Sequence, residues 1–452
     1  MAGDMFAYDE AMTELIMAAC RDRLSWRPVP LDFGGLIESL DPYLEGLMRP
    51  DGNDAAAVLD TFVESLATAV VSCDSERFLS FIPAAPTKAA LLFDMFVSCS
   101  SLQGTSWLEA AGAVAAENQA LRVLADLAGF PEGAGGCFVA GGSAGNLSAL
   151  LVARDTAAHR RGRASNHPLV AVSDDAHSSV SKALHLLGIE AFVVPTVDHR
   201  LTGSALDAAL ASDPRGDDVI GVVGTAGTTN AGIIDELDGI ADTAARRQLW
   251  FHIDGAYGGA ALFAPALRRQ MRGFERADSF IVDPHKWLFA PFDCAALLYR
   301  QPNLAKAVHT QDASYLDILH TDNPEEWNPS DYAYHLTRRA RGLPLWFSMA
   351  VNGLDAYRDA VEAGLAMAGR AAELVTATPH TELLRAPGLS IVLFRRTGWT
   401  RPDYEAWSTR ILLAQIGFVT PTTWEGETVA RFAFLHPHTT ENMVQEILDS
   451  MA

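Results

Sequence analysis

The stretch SFIVDPHKW, residues 279–287, places a lysine directly after a short apolar run. Residues 279–282 are typical of a buried strand, and Pro284 favours an end to it because proline cannot donate to the ladder of hydrogen bonds. A lysine just past such a strand can lose part of its hydration, which lowers the pKa of the ammonium and frees the amine to form an imine with an aldehyde. Most lysines in such positions are solvated loop residues, so Lys286 needs support from other segments.

Short apolar runs alternate with helical patterns from about residue 86 to residue 300. This alternation predicts an α/β fold in which a mostly parallel sheet is covered by helices on both faces. Ligands of such sheets gather at the strand ends. The predicted strands are residues 137–139, 169–172, 191–194, 219–223, 250–253 and 279–282, and predicted helices include residues 147–160 and 180–187.

Three regions follow from these patterns along the chain. Residues 1–85 form an N-terminal helical arm, with predicted helices at 5–23 and 55–72, and residues 86–344 form the large domain. The arm is too short to bury a core alone, so we expect it to pack on the body or on another subunit, which favours a homo-oligomer. Residues 345–452 begin with a predicted long helix at 345–377 and continue as a small α+β C-terminal domain.

Composition and charge exclude several classes of protein. The 452 residues include 34 Lys and Arg against 56 Asp and Glu, a formal net charge of -22, so the surface repels nucleic acids and anionic membranes. The sequence shows no basic segment followed by an apolar one near Met1, and no apolar stretch of about 18 residues. We therefore expect a cytoplasmic protein. Its five cysteines form no Cys-x-x-Cys pair, so neither a metal site nor a disulfide framework is expected.

The segment WFHIDGAYGG, residues 250–259, ends a hydrophobic strand with Asp254 among small residues. A carboxylate at such a position can hold a pyridinium nitrogen protonated, which makes the ring an electron sink. The small Ala256 leaves room for a flat ring. The alternative is an aspartate that caps a helix.

The segment GGSAGN, residues 141–146, follows a strand and opens a helix. Free backbone N–H groups and the helix dipole converge there, so Gly142 and Ser143 can bind a phosphate. The segment is neither the GxGxxG fingerprint nor a P-loop with its lysine. A plain glycine-rich turn is the alternative.

Two further strand ends carry polar side chains. His177, in the segment SDDAHSS at residues 173–179, lies at a strand-to-helix junction where its ring can stack on an aromatic ligand. A surface histidine near a helix start is the ordinary alternative. The segment GTAGTT, residues 224–229, adds hydroxyls such as Thr229 that can contact a ring or a substrate oxygen, or form a simple turn.

These segments occur in order at the ends of successive strands, and together they resemble the group II pyridoxal-phosphate-dependent decarboxylases. Within that group the aromatic-L-amino-acid decarboxylases are the best match. The likeness runs from about residue 78 to residue 341. The segments that carry it are residues 138–146, 175–179, 252–257 and 284–287, with 292–294 after them.

The resemblance implies a fold type I enzyme with pyridoxal 5'-phosphate (PLP) as cofactor, an obligate homodimer whose active sites lie at the subunit interface. It implies that Lys286 is the Schiff-base lysine, that Asp254 is the partner of the pyridine nitrogen and that His177 stacks on the ring and relays protons. The residues that it implies for the phosphate and the rest of the cofactor are Gly142, Ser143, Thr229, Ala256 and His285.

The implied reaction is decarboxylation of an aromatic or related L-amino acid to its amine and CO2. Two alternatives on the same fold stay open: decarboxylation-dependent oxidative deamination to an aldehyde, and transamination. A non-enzymatic binding or scaffold protein is a further alternative, which the presence of Lys286, Asp254 and His177 together disfavours.

Some positions depart from the pattern of the family. Asp283 stands where the family often has asparagine, and an acid there would be repelled by the phosphate. Phe81 keeps an aromatic residue in the predicted substrate pocket, but Ala84 and Thr105 replace a threonine and a phenylalanine of the animal enzymes. We therefore expect a wider or more polar pocket, and the substrate stays open.

A loop within residues 309–334 is expected to carry the tyrosine that protonates the substrate carbon after CO2 has left. An ungapped count from Arg338 places that position at about Pro329, with Tyr332 and Tyr334 nearby. If no tyrosine reaches the site, that carbon can instead react with oxygen and give an aldehyde.

Overall fold

A seven-stranded, mostly parallel sheet forms the centre of the computed structural model, which describes residues 5–83, 85–161, 167–319, 323 and 326–452. Its strands are β1 (Gly135–Val139), β2 (Leu169–Ser173), β3 (Glu190–Val194), β4 (Val219–Thr225), β5 (Trp250–Asp254), β6 (Ser279–Val282) and β7 (Ala295–Tyr299). Their order across the sheet is β1, β7, β6, β5, β4, β2, β3. All six predicted strands are present. The seventh, β7, was not predicted, and it pairs antiparallel with both β1 and β6.

Helices surround the sheet and form the N-terminal segment. The described helices are α1 (Glu10–Ser25), α2 (Ile37–Leu44), α3 (Ala55–Thr61), α4 (Lys88–Cys99), α5 (Trp107–Leu127), α6 (Gly142–Arg161), α7 (Ser178–Leu187), α8 (Gly203–Ser212), α9 (Leu237–Arg247), α10 (Pro302–His309), α11 (Leu343–Asn352), α12 (Leu354–Ala377), α13 (Arg401–Leu413) and α14 (Glu441–Asp449). The predicted helix at 55–72 is wrong in its second half, because α3 ends at Thr61 and a single π-helical turn follows.

Strand β5 shows how the sheet separates core from site. Successive side chains of a strand point to opposite faces. Phe251 and Ile253 join the core cluster that also contains Ile240 of α9. His252 and Asp254 point to the other face, where both are hydrogen-bonded to Asn146 of α6. One strand therefore supplies apolar packing on one side and buried polar groups on the other.

The C-terminal region has its own four-stranded antiparallel sheet among the described residues. Its strands are β8 (Thr381–Leu383), β9 (Ile391–Arg396), β10 (Thr422–Trp424) and β11 (Glu427–Ala433), in the order β10, β11, β9, β8. The predicted single helix at 345–377 is wrong. Helices α11 and α12 divide it at Gly353, whose φ of +80° lies in a region that favours glycine and ends a helix.

The N-terminal arm buries none of the side chains of α1, α2 or α3. Large apolar residues such as Phe33, Leu36 and Phe62 are exposed in the single chain. This exposure fits the expectation that the arm packs on another subunit. The domain boundaries at residues 85 and 344 stay predictions. Within the described residues, no helix is long and apolar enough to cross a membrane.

A buried ion pair fixes the segment that follows the loop of residues 309–334. Arg338 donates from Nη2 to Glu117 Oε1 at 2.7 Å and from Nη1 to the Gly104 carbonyl at 2.6 Å. The same Glu117 oxygen accepts from the Gly342 N–H at 2.8 Å. Arg338 and Glu117 are both buried, so neither charge has water as an alternative partner.

Glu117→Gln keeps the shape of this side chain but leaves Arg338 as a buried cation without an anion. We expect it to lower the free energy of unfolding by about 3 kcal/mol, measured by urea denaturation followed by circular dichroism. Glu441→Gln breaks the exposed pair with Arg370 and serves as control, because solvent screens that pair. Equal unfolding midpoints for the two variants would contradict the role given to Glu117.

Candidate active site

Asp254 is the last residue of β5 and is buried. Its Oδ2 accepts from Asn146 Nδ2 at 2.9 Å, and its Oδ1 accepts from the backbone N–H of Ala256 at 3.1 Å. A buried carboxylate is costly unless it is hydrogen-bonded or paired, and these two donors reduce that cost. The side chain is thus held in one orientation at the carboxyl end of the strand.

Gly142 opens helix α6 directly after β1 and brings three strand ends together. Its N–H donates to Asp283 Oδ2 at 3.3 Å. A Cβ on Gly142 would lie 3.1 Å from that oxygen and 3.2 Å from the Cβ of Ala256, which is tighter than ordinary contacts. A side chain at this position would therefore push Asp283 or Ala256 aside. The exposed Ser143 follows in the first turn of α6, and the start of a helix favours a bound anion. We call this helix start, at Gly142 and Ser143, the anion cradle.

Lys286 lies beside this cradle, and its side chain is 22% exposed. Its Nζ is 2.9 Å from Asp283 Oδ2. Burial acts to lower the pKa of the ammonium, but the carboxylate of Asp283 and, more weakly, that of Asp254 outweigh burial and raise the pKa above its ordinary value. The expectation of a lowered pKa is therefore wrong, because the carboxylate of Asp283 turns toward the amine.

His285 packs at the edge of the same site. Its Nδ1 is 2.7 Å from the Cys294 carbonyl, and burial lowers the pKa of its ring. Its Nε2 lies 3.8 Å from Asp283 Oδ2. The other oxygen of Asp283, Oδ1, is buried and has no hydrogen-bond partner among the described residues.

His177 caps the N-terminus of α7 and is exposed in the single chain. Its Nδ1 is 2.8 Å from Ser179 Oγ and also accepts from the Ser179 N–H. Ser179 in turn accepts from Asn146, the residue that contacts Asp254. A single polar network therefore connects His177 and Asp254, the residues predicted to contact the face and the nitrogen of the cofactor ring.

Arg431 was missed at the sequence level. It is buried in β11, and it donates to the carbonyls of Phe81 at 2.8 Å and Thr229 at 2.6 Å. Its Nε has no partner among the described residues, and burial lowers its pKa to about 10. An arginine within an apolar strand could have indicated a functional residue, because arginines without a charged partner are rarely buried. The contacts bring Phe81 and Thr229, two predicted site residues, to one guanidinium.

The two tyrosines predicted near the pocket, Tyr334 and Tyr332, lie in different environments. Tyr334 is 54% exposed and lines a cavity of about 340 Å³ together with Gly141, Ser143 and Lys182. Tyr332 is instead buried in the core, where its ring stacks on Trp327 at 4.1 Å.

Thr105 and Ala84 are the two other positions at which the sequence departs from the animal enzymes. Thr105 is buried, and its carbonyl accepts from the Ser330 N–H. Ala84 lies outside the described residues, as does part of the loop at 309–334.

The amine of Lys286, the carboxylates of Asp254 and Asp283 and the start of α6 thus converge at neighbouring strand ends, an arrangement typical of an α/β enzyme. The sequence pattern described as "Pyridoxal-dependent decarboxylase conserved domain" matches residues 41–397. An aromatic-L-amino-acid decarboxylase of Bacillus atrophaeus is 31% identical over 350 residues, 76% of this chain and 72% of that protein. An L-2,4-diaminobutyrate decarboxylase of Rhizobium meliloti (strain 1021) is 31% identical over 430 residues, 92% of this chain and 84% of that one.

This chain belongs to the pyridoxal-dependent decarboxylase family. Its reaction class is thus PLP-dependent amino-acid decarboxylation, as predicted. The crystal structure of Oryza sativa TDC with PLP and tryptamine superposes with a TM-score of 0.90 at 24% identity and covers 99% of both chains. This similarity confirms the predicted fold class.

The residues at the strand ends fit the cofactor. The first turn of α6, with Ser143, offers N–H and hydroxyl donors to a phosphate, and Asp254 offers a carboxylate to a pyridinium nitrogen. Lys286 offers the primary amine that an aldehyde needs. The charge of Asp283 opposes a phosphate, and the ammonium of Lys286, 2.9 Å away, offsets that charge.

Asp283→Asn removes the anion that keeps Lys286 protonated, so the pKa of the amine falls and the neutral form exists at lower pH. We expect the rate of covalent PLP attachment, followed by absorbance and scaled to its plateau, to reach half-maximum at a lower pH than in the wild type. Asp293→Asn removes a nearby carboxylate that pairs with Arg341 instead and should leave the profile in place. If the rate of attachment depends on pH in the same way in Asp283→Asn and in the wild type, this carboxylate does not set the pKa of the Lys286 amine.

Proposed function

We propose that this protein decarboxylates an aromatic or related L-amino acid to the corresponding amine and CO2, with PLP held on Lys286. The observation that carries the proposal is the convergence of the Lys286 amine, the buried carboxylate of Asp254 and the Gly142 cradle at adjacent strand ends. An amine, an anion site and an isolated carboxylate together match the three reactive ends of this cofactor.

The protein's own groups have separate tasks in this proposal. When bound, the cofactor supplies a ring that withdraws electrons from the substrate carbon, so that the bond to the carboxyl group can break. Asp254 holds a proton at the ring nitrogen, and Gly142 and Ser143 hold the phosphate. His177 packs on the face of the ring. Lys286 would provide the amine to which the cofactor is attached.

Arg431 is our candidate for the substrate carboxylate. Its guanidinium is buried, with one N–H unpaired among the described residues, and such a group gains a partner when a carboxylate binds. Beside it, the exposed ring of Phe81 lies 6.1 Å from Phe418 and 6.4 Å from Phe78. This aromatic cluster favours a substrate with an aromatic side chain, because ring pairs at such distances attract one another.

Tyr334 is our candidate for the proton donor to the substrate carbon. It is exposed and lines the cavity beside Gly141 and Ser143, whereas Tyr332 is held in the core. If no tyrosine completes this step, the carbon reacts with oxygen and the product is an aldehyde. Product analysis therefore separates the two chemistries.

We also propose a homodimer with shared active sites. The exposed apolar residues of the arm, together with exposed Leu92 and Phe96 on α4, form apolar surface of the kind that a second copy of the chain buries. Sedimentation equilibrium of the holoenzyme is expected to give twice the mass of 48.6 kDa. A mass of one chain at working concentration would contradict this.

Incubation with a panel of amino acids tests the proposed reaction. Purified protein with PLP is given L-tryptophan, L-tyrosine, L-phenylalanine, L-glutamate and L-2,4-diaminobutyrate, and CO2, amine, aldehyde and peroxide are measured. We expect equal amounts of amine and CO2, with kcat/KM at least about tenfold higher for an aromatic substrate than for L-2,4-diaminobutyrate. Lys286→Ala should abolish the reaction, whereas Lys306→Ala, at a partly exposed lysine on α10, should not.

Other products would contradict the proposal in distinct ways. Aldehyde, ammonia and peroxide in place of amine would support oxidative deamination. A requirement for a keto acid without release of CO2 would support transamination. Preference for L-2,4-diaminobutyrate would overturn the aromatic substrate but keep the decarboxylase.

A further inference from the structure

A buried chain of hydrogen bonds runs from the start of β5 to His177. We call it the β5 network, and its members are Trp250, Ser279, His252, Asn146 and Ser179. All five side chains are buried. The network contacts Asp254 through Asn146 and His177 through Ser179. Because each member has a limited set of donors and acceptors, the direction of every bond can be deduced.

The direction is set at Asp254. An ionised carboxylate only accepts hydrogen bonds, so the atom of Asn146 that faces Asp254 Oδ2 at 2.9 Å is the amide nitrogen. The amide oxygen of Asn146 then faces His252 Nε2 at 2.9 Å. Since that oxygen cannot donate, His252 Nε2 must carry the proton.

The contacts of the other ring nitrogen of His252, Nδ1, agree with this assignment. The indole N–H of Trp250 can only donate, and it donates to Ser279 Oγ at 3.0 Å. The Ser279 hydroxyl can then give its own proton to His252 Nδ1 at 2.8 Å. Burial lowers the pKa of the His252 ring to about 4, although Asp254 opposes this shift. His252 is therefore neutral at physiological pH, with a single tautomer that suits both neighbours.

The second N–H of the Asn146 amide determines which groups donate at Ser179 and His177. It donates to Ser179 Oγ at 3.0 Å, so the Ser179 hydroxyl proton is free to point at His177 Nδ1, 2.8 Å away. The backbone N–H of Ser179 donates to the same nitrogen at 3.2 Å. Two donors thus face Nδ1 of His177, which leaves Nε2 as the nitrogen that carries its proton.

We propose that His252 is a positioning residue, which acts through Asn146 and Ser179 to fix the tautomer of His177 and the orientation of Asp254. The hydrogen bond from His252 Nε2 to the amide oxygen of Asn146 holds that amide in its orientation. Without a donor at the position of His252 Nε2, the buried oxygen of Asn146 has no partner, and an amide that rotates to find one gives up its bonds to Asp254 and Ser179. His177 then keeps only the backbone N–H of Ser179 as a firm donor to Nδ1, and Asp254 keeps only the N–H of Ala256.

The contribution of His252 to turnover rests on the proposed function, but the tautomer of His177 does not. Two variants of matched chemistry separate the roles. In His252→Gln the amide nitrogen can reach the position of Nε2 and donate to Asn146. In His252→Asn the shorter amide stays near the position of Nδ1, beside Ser279, and cannot make that contact.

The first readout is the protonation of the His177 ring nitrogens in the cofactor-free protein. It is measured by solid-state nitrogen NMR on protein with 15N-labelled imidazoles, and the His177 signals are assigned by their loss in His177→Asn. We expect Nε2–H alone in the wild type and in His252→Gln. We expect a mixture with Nδ1–H in His252→Asn.

The second readout is the split between kcat and KM for the best substrate of the holoenzyme. We expect His252→Asn to lower kcat by about 10- to 100-fold, by analogy with the loss of residues that hydrogen-bond to and orient the side chains of metal sites, with KM nearly unchanged. His252→Gln should restore most of kcat. Equal losses in the two variants would indicate a merely structural role and overturn the proposal.

An unchanged His177 tautomer in His252→Asn would also overturn the proposal, whatever the activity. If His252→Asn does not fold, Ser179→Ala provides the same test, because it removes the hydroxyl link to His177 and should raise the Nδ1–H population. The expected tautomers in a protein without decarboxylase activity would support the network and contradict the proposed function instead.

Discussion

The partly buried ammonium of Lys286 requires an anion beside it, and Asp283 supplies that anion at 2.9 Å. The same carboxylate oxygen accepts from the N–H of Gly142, and the backbone N–H of Asp283 donates to the Ala256 carbonyl. The segment after β6 is thereby joined to the segment after β5 and to the start of α6. Charge compensation at one side chain thus fixes the spacing of three segments around the site.

The sequence predicted the groups that follow directly from strand ends. Asp254 and Lys286 each come within a few residues of a short, fully buried apolar run, and buried runs of this kind are the clearest signal of a parallel sheet. Strand β7 was not predicted, because its place between β1 and β6 depends on long-range pairing rather than on its own residues. The break between α11 and α12 at Gly353 was missed because an isolated glycine is tolerated in many helices, so this residue alone did not indicate a break.

The parts of the site that the sequence did not predict depend on packing between distant segments. Arg431 reaches Phe81 and Thr229 only because the C-terminal sheet packs against the large domain. The roles of Asn146 and His252 depend on the alternation of β5 and on the position of α6 over it. The spacing of motifs in the sequence cannot show such contacts, although Arg431, Asn146 and His252 each lie in a sequence motif or in an apolar strand.

Every role proposed for the active site depends on Lys286 as the residue that carries the cofactor. Reduction of the holoenzyme with borohydride makes the linkage permanent, and peptide mapping by mass spectrometry then locates the pyridoxyl group. We predict a single modified site at Lys286. Modification of Lys182, which lines the cavity beside Gly141 and Ser143, with Lys286 left free, would contradict it.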